Sequence, residues 1–323
     1  MTGKLVVVGS YNQDFIWRTD SFPLPGETRL GQFSTGPGGK GFNQAVAAAR
    51  QGAQVTFVAA LGRDAIADKA VTLALAEGID ARWQWCETVP SGNAAIVLDA
   101  SGQNLIVVGS GANLQLAVAH IEAQARAIAA ASVLLVQHEV TPAATRRALE
   151  LARISGAVTV LNPAPPLAVE DGGLLPLVDV LTPNETEFAH LLARRAGVSL
   201  AVDHIATLAE ADLHQLARRL AVPTVVITLG AGGVFVSHDE AAHWRDHSAH
   251  YRVPAEKVEV RDTTGAGDAF SGSLAAALTD PAGARFETAI RYANQVAAMA
   301  TESLGAALSI PRRAQVVARF RRD

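Results

Sequence analysis

The stretch SVLLVQHEVTPAATRRALELARISGAVTVLN, residues 132–162, contains one complete structural unit. Two short apolar runs, SVLLVQ (132–137) and AVTVLN (157–162), flank a segment that opens on Thr-Pro and stops at Gly156. A threonine hydroxyl caps free N–H groups, proline fits the first helical turn, and glycine tolerates the left-handed backbone that ends a helix. The unit therefore reads strand, helix, strand. Runs apolar from end to end belong to strands covered on both faces. The same pattern recurs at KLVVVG (4–9), VTFVAA (55–60), VDVLTP (178–183) and PTVVITLG (223–230). Helical segments lie between them at NQAVAAARQGA (43–53) and NETEFAHLLARRAG (184–197), the second with an Asn cap and Glu187 at the capping-box position. The fold class that follows is α/β: a doubly wound, mainly parallel sheet with helices on both faces.

Two segments depart from this alternation. DFIWRTDSFPLPGETRLGQFS (14–34) and NAAIVLDASGQNLIVVG (93–109) read as antiparallel hairpin strands, the second turning at Ser101-Gly102. Together they predict a small β-sheet lid on the core. With no repeat, low-complexity tract or long polar linker, residues 1–323 read as a single catalytic domain carrying that lid.

Of the 323 residues, 49% are apolar and 18% charged, with a net charge of −4. The basic residues are scattered, so no stripe for nucleic acid or an anionic membrane is present, and small-molecule partners are favoured. Cys86 is the only cysteine, which excludes an internal disulfide and any cysteine-clustered zinc site and fits a reducing compartment. The opening MTGKLVVVGSYNQD has too short an apolar run for a spanning helix and lacks the pattern of a signal peptide, so the expectation is a cytoplasmic enzyme.

Three glycine clusters carry the chemistry. In DTTGAGDAF (262–270), Gly265, Ala266 and Gly267 lead into an apolar helix. The exposed N–H groups and positive dipole end make an anion site, and glycines let a phosphate approach the backbone closely. Asp268, at the mouth of that site, is placed to take a proton from an attacking hydroxyl. A plain acidic residue in a first helical turn explains the same spacing equally well, through a stabilisation of roughly 0.3–1 kcal/mol.

In STGPGGKGFNQA (34–45), Gly36, Gly38 and Gly41 match G-x-G-x-x-G, but the following strand ends without the acidic residue that a dinucleotide needs. No Ser or Thr follows Lys40, so the loop is not a Walker A motif either. Its backbone, with Lys40 and Asn43 projecting, suits a polyhydroxylated ligand, and a simple helix-entry turn fits too. TLGAGG (228–233) ends a buried strand where α/β sheets bind ligands, although alone it reads better as a hairpin turn. His243, His247 and His250 lack a nearby cysteine, and no zinc site is assigned to them.

Taken in order, GSYNQD (9–14), PLPGET (23–28), GGKGFNQAVAAARQGA (38–53), LNPAP (161–165), TPNETE (182–187), ITLGAGG (227–233) and DTTGAGDAF (262–270) resemble the ribokinase family of carbohydrate kinases, from Gly9 to about Pro311. The resemblance implies an ATP-dependent kinase acting on the primary hydroxyl of D-ribose, or on another sugar or nucleoside; the alternative from a different class, a sugar or nucleotide sensor without catalysis, is disfavoured by the intact Asp268 and its anion loop. Asn12, Asp14, Gly39, Lys40, Gly41, Asn43 and Glu139 would hold sugar hydroxyls. Asp268 would be the general base, and Gly265, Ala266 and Gly267 the anion hole. Asn184 and Glu187 would organise Mg²⁺, while Thr228, Gly230, Gly233 and Asn294 would line the ATP site. Asp262, Thr264, Ala300, Ser303, Gly305 and Ser309 would surround K⁺. A homodimer through the lid sheets is also implied. Phe42 departs from the smaller residue usual in the family, and either narrows the sugar pocket or packs behind it.

Overall fold

Side chains of the strand β1 (Lys4–Val8) alternate between two cores, Leu5 and Val7 on one face and Val6 and Val8 on the other, each at most 1% exposed. This two-sided burial is what the apolar runs predict, and it continues along a nine-stranded sheet. The computed structural model describes residues 3–167, 173–239, 244–280 and 285–320. The strands in chain order are β1, β2 (Asn12–Arg18), β3 (Gln32–Gly38), β4 (Gln54–Gly62), β5 (Asp80–Cys86), β6 (Gly92–Leu98), β7 (Asn104–Gly109), β8 (Val133–Val136), β9 (Val158–Leu161), β10 (Val180–Leu181), β11 (Thr224–Thr228), β12 (Val234–His238) and β13 (His250–Val253). The large sheet runs β13-β12-β11-β10-β9-β8-β1-β4-β5. All its pairings are parallel except the two that β12 makes with β11 and β13.

β1 lies between β4 and β8, so the chain winds outward from it in both directions. The crevice beyond the carboxyl ends of β1 and β8 is therefore the topological switch point, where open α/β sheets bind ligands. Helices Lys40–Arg50, Ala65–Ala76, Ala266–Leu278 and Phe286–Ala300 pack on one face. Pro142–Ser155, Glu185–Ala196 and Glu210–Arg218 cover the other.

The helix stops and starts follow the sequence cues. Thr141 accepts from Ala144 N–H, Gly156 ends its helix in the left-handed region, and Asn184 and Glu187 form a reciprocal capping box. The helix predicted over 43–53 begins earlier, at Lys40, and the one behind GAG begins at Ala266 with Gly265 as its cap. These two helices cross closely. A Cβ on Gly272 would come within 2.3 Å of the Gln44 carbonyl oxygen and 2.7 Å of the Ala47 Cβ, so only glycine allows the approach.

The lid is a separate four-stranded sheet ordered β3-β2-β6-β7. β2–β3 and β6–β7 are antiparallel pairs, as the hairpin signals predict, and β2 and β6 join them in parallel. The strands extend past the expected limits, from Asn12 to Gly38 in the first hairpin. Buried Asn113 ties down the root of the lid: its Oδ1 accepts from Tyr11 N–H at 3.0 Å, and its Nδ2 donates to Asn12 Oδ1 at 2.8 Å.

Candidate active site

Five parallel strands deliver polar groups to one edge of the sheet. Ser10 follows β1, Glu139 follows β8, Asn162 follows β9, Thr182 and Asn184 follow β10, and Thr228 ends β11. The amino ends of helices Lys40–Arg50 and Ala266–Leu278 face the same edge. Lys40, Asn162, Ala164, Thr182, Asn184, Glu187, Thr228, Thr263, Gly265, Gly267, Asp268 and Ser271 enclose a cavity of about 210 Å³. A wider hollow of about 550 Å³ beside it shares Glu187, but has no counterpart to Asp268 and the glycine-led helix. The smaller cavity is the chemically equipped one.

Asp268 is buried, at 6% exposure, in the first turn of its helix. Its Oδ2 accepts from Asn43 Nδ2 and its Oδ1 from Gln44 Nε2, both at 2.9 Å. The two glycine clusters thus meet in space through this carboxylate. Gly265 and Gly267 line the cavity, and a Cβ on Gly267 would meet nothing within 4 Å, so the space before it is open to a ligand. Ala266 is not among the lining residues, and its N–H donates to Thr263 C=O at 3.1 Å.

The predicted sugar residues gather between the lid root and this cavity. Glu139 Oε2 accepts from Lys40 N–H at 2.8 Å and from the Ser10 hydroxyl. A Cβ on Gly39 would lie 2.7 Å from Asn12 N, and one on Gly41 would lie 2.4 Å from Ser10 N. These glycines let the loop lie against β1's end. Buried Asn43 Oδ1 has no partner, leaving an acceptor for a hydroxyl. Phe42 is 1% exposed and stands edge-on to Tyr11 at 5.0 Å, so it packs behind the loop.

Charges crowd here. Burial, with Glu139 and Asp268 adding repulsion, pushes the Asp14 carboxyl up to about 7. Burial works against the charged form of Lys40, but Asp268, Glu139 and Glu187 outweigh it and raise the ammonium's pKa. Burial also raises Glu187. Asp14, normally near ~3.9, keeps its proton in the folded state after the unfolded chain has lost it, so its contribution to stability falls as pH rises from about 4 to 7. Asp14→Asn is therefore expected to melt higher than the parent at pH 8 and to show no such gain at pH 4. Identical differences at the two pH values in thermal melts would refute this.

Of the remaining predicted residues, Asn184, Glu187 and Thr228 line the cavity. Asn184 and Glu187 occupy each other: Glu187 Oε2 accepts from Asn184 N–H at 2.9 Å and Oε1 from its Nδ2 at 3.1 Å. Thr228 lines the cavity, whereas Gly230 and Gly233 form the β11–β12 turn just beyond it. TLGAGG is thus a hairpin turn. Asn294 is buried and donates to Pro254 C=O at 2.9 Å, outside the cavity lining. Asp262 bridges two loops, accepting from Thr264 N–H and Gly305 N–H at 2.9 Å each. Ser303 N–H is 3.4 Å from Ala300 C=O, and Ser309 Oγ donates to Ala306 C=O at 2.8 Å.

His250 stacks on His214 at 4.5 Å, His247 lies in the preceding loop, and His243 lies outside the described residues. Among the described residues no group of three or more His, Cys, Asp or Glu side chains is placed to hold a metal.

Sequence reasoning missed Ser10, Gln44, Asn113, Gln137, Asn162, Thr182, Thr263 and Ser271. Several sit inside motifs already quoted, but nothing in their local sequence says which partner the fold will bring to them.

A family model described as pfkB family carbohydrate kinase matches residues 2–313. The chain belongs to that family. It is 37% identical over 321 residues to the ribokinase of Haemophilus influenzae, covering 98% of each chain. The ribokinase structure from Giardia lamblia superposes with a TM-score of 0.85 at 27% identity, covering 99% of this chain and 100% of that one. An Arabidopsis thaliana ribokinase structure complexed with ribose and ATP gives 0.84 at 26% identity, with both chains covered completely. No helix among the described residues is long and apolar enough to cross a membrane.

Proposed function

We propose that the chain transfers the γ-phosphoryl group of ATP to the primary hydroxyl of D-ribose, giving D-ribose 5-phosphate and ADP. The observation that carries this is buried Asp268, held by Asn43 from the sugar loop and seated at the amino end of the glycine-led helix. Relatives named ribokinase, and a similar structure complexed with ribose and ATP, support the choice of substrates.

Asn12, Asp14, Glu139, Asn43 and the backbone of Gly39–Gly41 bind the sugar. Asp268 takes the proton of its O5 as that oxygen attacks phosphorus. Gly265 and Gly267, with Ala266 between them, present backbone donors and a helix dipole to the transferring group, and Lys40 adds positive charge. Such positioning and charge stabilisation supply most of what phosphoryl transfer requires.

The donor set fits Mg²⁺ rather than a dedicated protein cage: Glu187 and Asn184 would hold it through water, alongside the phosphates. Mg²⁺ neutralises phosphate charge when bound. Thr228, Gly230, Gly233 and Asn294 flank the nucleotide. The loop of Asp262 and Thr264, with Ala300, Ser303, Gly305 and Ser309, would seat K⁺ and steady the anion hole. The lid excludes water and so limits ATP hydrolysis. Its outer strands also make a homodimer, supported by edge strand β7, where Leu105, Ile106, Val107 and Val108 are each at least 50% exposed. A monomeric mass in sedimentation would overturn that assembly.

An ADP-coupled assay over ribose, 2-deoxyribose, fructose and nucleosides tests the substrate. Ribose is expected to give the highest kcat/KM; stronger turnover of another acceptor would displace it while leaving the phosphotransfer chemistry intact.

A further inference from the structure

From Asn162 in the cavity wall, a chain of buried amides runs back through Gln44 to Gln137, neither of which lines the cavity. Gln44 is fully buried and is not among the residues lining the cavity. Its Nε2 donates to Asp268 Oδ1 at 2.9 Å and to Asn162 Oδ1 at 3.0 Å. Its Oε1 accepts from Gln137 Nε2 at 2.7 Å. Asn162 is fixed in turn, because its Nδ2 donates to Thr182 C=O at 2.8 Å.

We propose that Gln44 is a positioning residue for Asp268, and that Gln137 holds the oxygen of its amide. The Gln44 amide has one orientation. Turning it over would set its oxygen against two acceptors, the Asp268 carboxylate and Asn162 Oδ1, and Asn162 is itself pinned by its bond to Thr182 C=O. Gln44 therefore donates to Asp268. With Asn43 on Oδ2 and Gln44 on Oδ1, each carboxylate oxygen has one fixed amide donor, and the carboxyl plane cannot rotate about its bond to the helix. Its remaining lone pairs stay turned toward the cavity.

Gln44 lies one residue beyond Asn43, so a single helical turn supplies both a sugar ligand and a brace for the base. The inference rests on Asp268 acting as the base of the reaction proposed above.

The test is Gln44→Met, close in volume but unable to donate. Expected are a fall in kcat on the order of 10–100-fold, the scale set by misplacing a reacting group, and KM values for sugar and ATP within about threefold of the parent. In an Asp268→Asn background the same change should cost almost nothing further, because groups that act as a unit are not additive. An unchanged kcat, or a full additional loss in that background, would overturn the proposal.

If Gln44→Met shows no cooperative melting, Gln137→Met serves instead. It leaves every contact of Asp268 in place, so a smaller loss of kcat with KM values unchanged is expected, and no loss at all refutes the idea. A parent enzyme without turnover, or an Asp268→Asn variant with full turnover, would fault the functional reading rather than the role of Gln44.

Discussion

Asp268→Asn is expected to reduce kcat by about 10³-fold, within the ~10²–10⁴ range that general-base catalysis contributes. The amide keeps the volume of the carboxyl but cannot take the hydroxyl proton. It also presents an NH₂ to one of two donors, Asn43 Nδ2 or Gln44 Nε2, and so loses a hydrogen bond that the carboxylate makes. Asn184, Glu187 and Thr228, the residues proposed to face the nucleotide, are untouched, so calorimetry should show ATP binding within a fewfold of the parent. Turnover within tenfold of the parent would remove Asp268 from the mechanism.

Phe42→Ala is expected to lower stability by about 3–5 kcal/mol, the usual cost of deleting a buried phenylalanine ring. The ring is nearly inaccessible, lies edge-on to Tyr11 at 5.0 Å and is 5.9 Å from Phe57, which in turn meets Trp83 at 5.5 Å. Alanine would leave a hole in that aromatic row which the backbone cannot close, since Gly41 is already tight against Gly9 and Ser10. The melting temperature should fall by on the order of 10 °C. At a temperature where the variant remains folded, the sugar KM should stay within about threefold of the parent. An unchanged melting point with a large KM effect would instead place the ring in the pocket, the other reading that the sequence allows.

The central strands were legible because a strand covered on both faces must be apolar throughout, as in Leu5 to Val8. Edge strand β5 was not: Asp80 to Cys86 alternates charged, aromatic and polar residues and is nowhere fully buried. β13 is only partly covered and reads as polar strand and loop. Among the site residues, those announced by glycines were legible, because a bare backbone at a helix start restricts what the segment can do. Gln44 and Gln137 were not, since a polar residue in an alanine-rich helix or at a strand end reads as surface until a partner 93 positions away arrives against it. Asn162 and Thr182 were quoted in motifs but given no task, for the same reason.

The contact at Gly272 has a consequence for how the enzyme diversifies. With no side chain between them the two helices meet at the backbone, which fixes the spacing between the helix that carries Asn43 and the one that carries Asp268. On the function proposed here, a change of sugar preference would come from the small sheet and its loops, because any side chain added at Gly272 would push base and sugar loop apart.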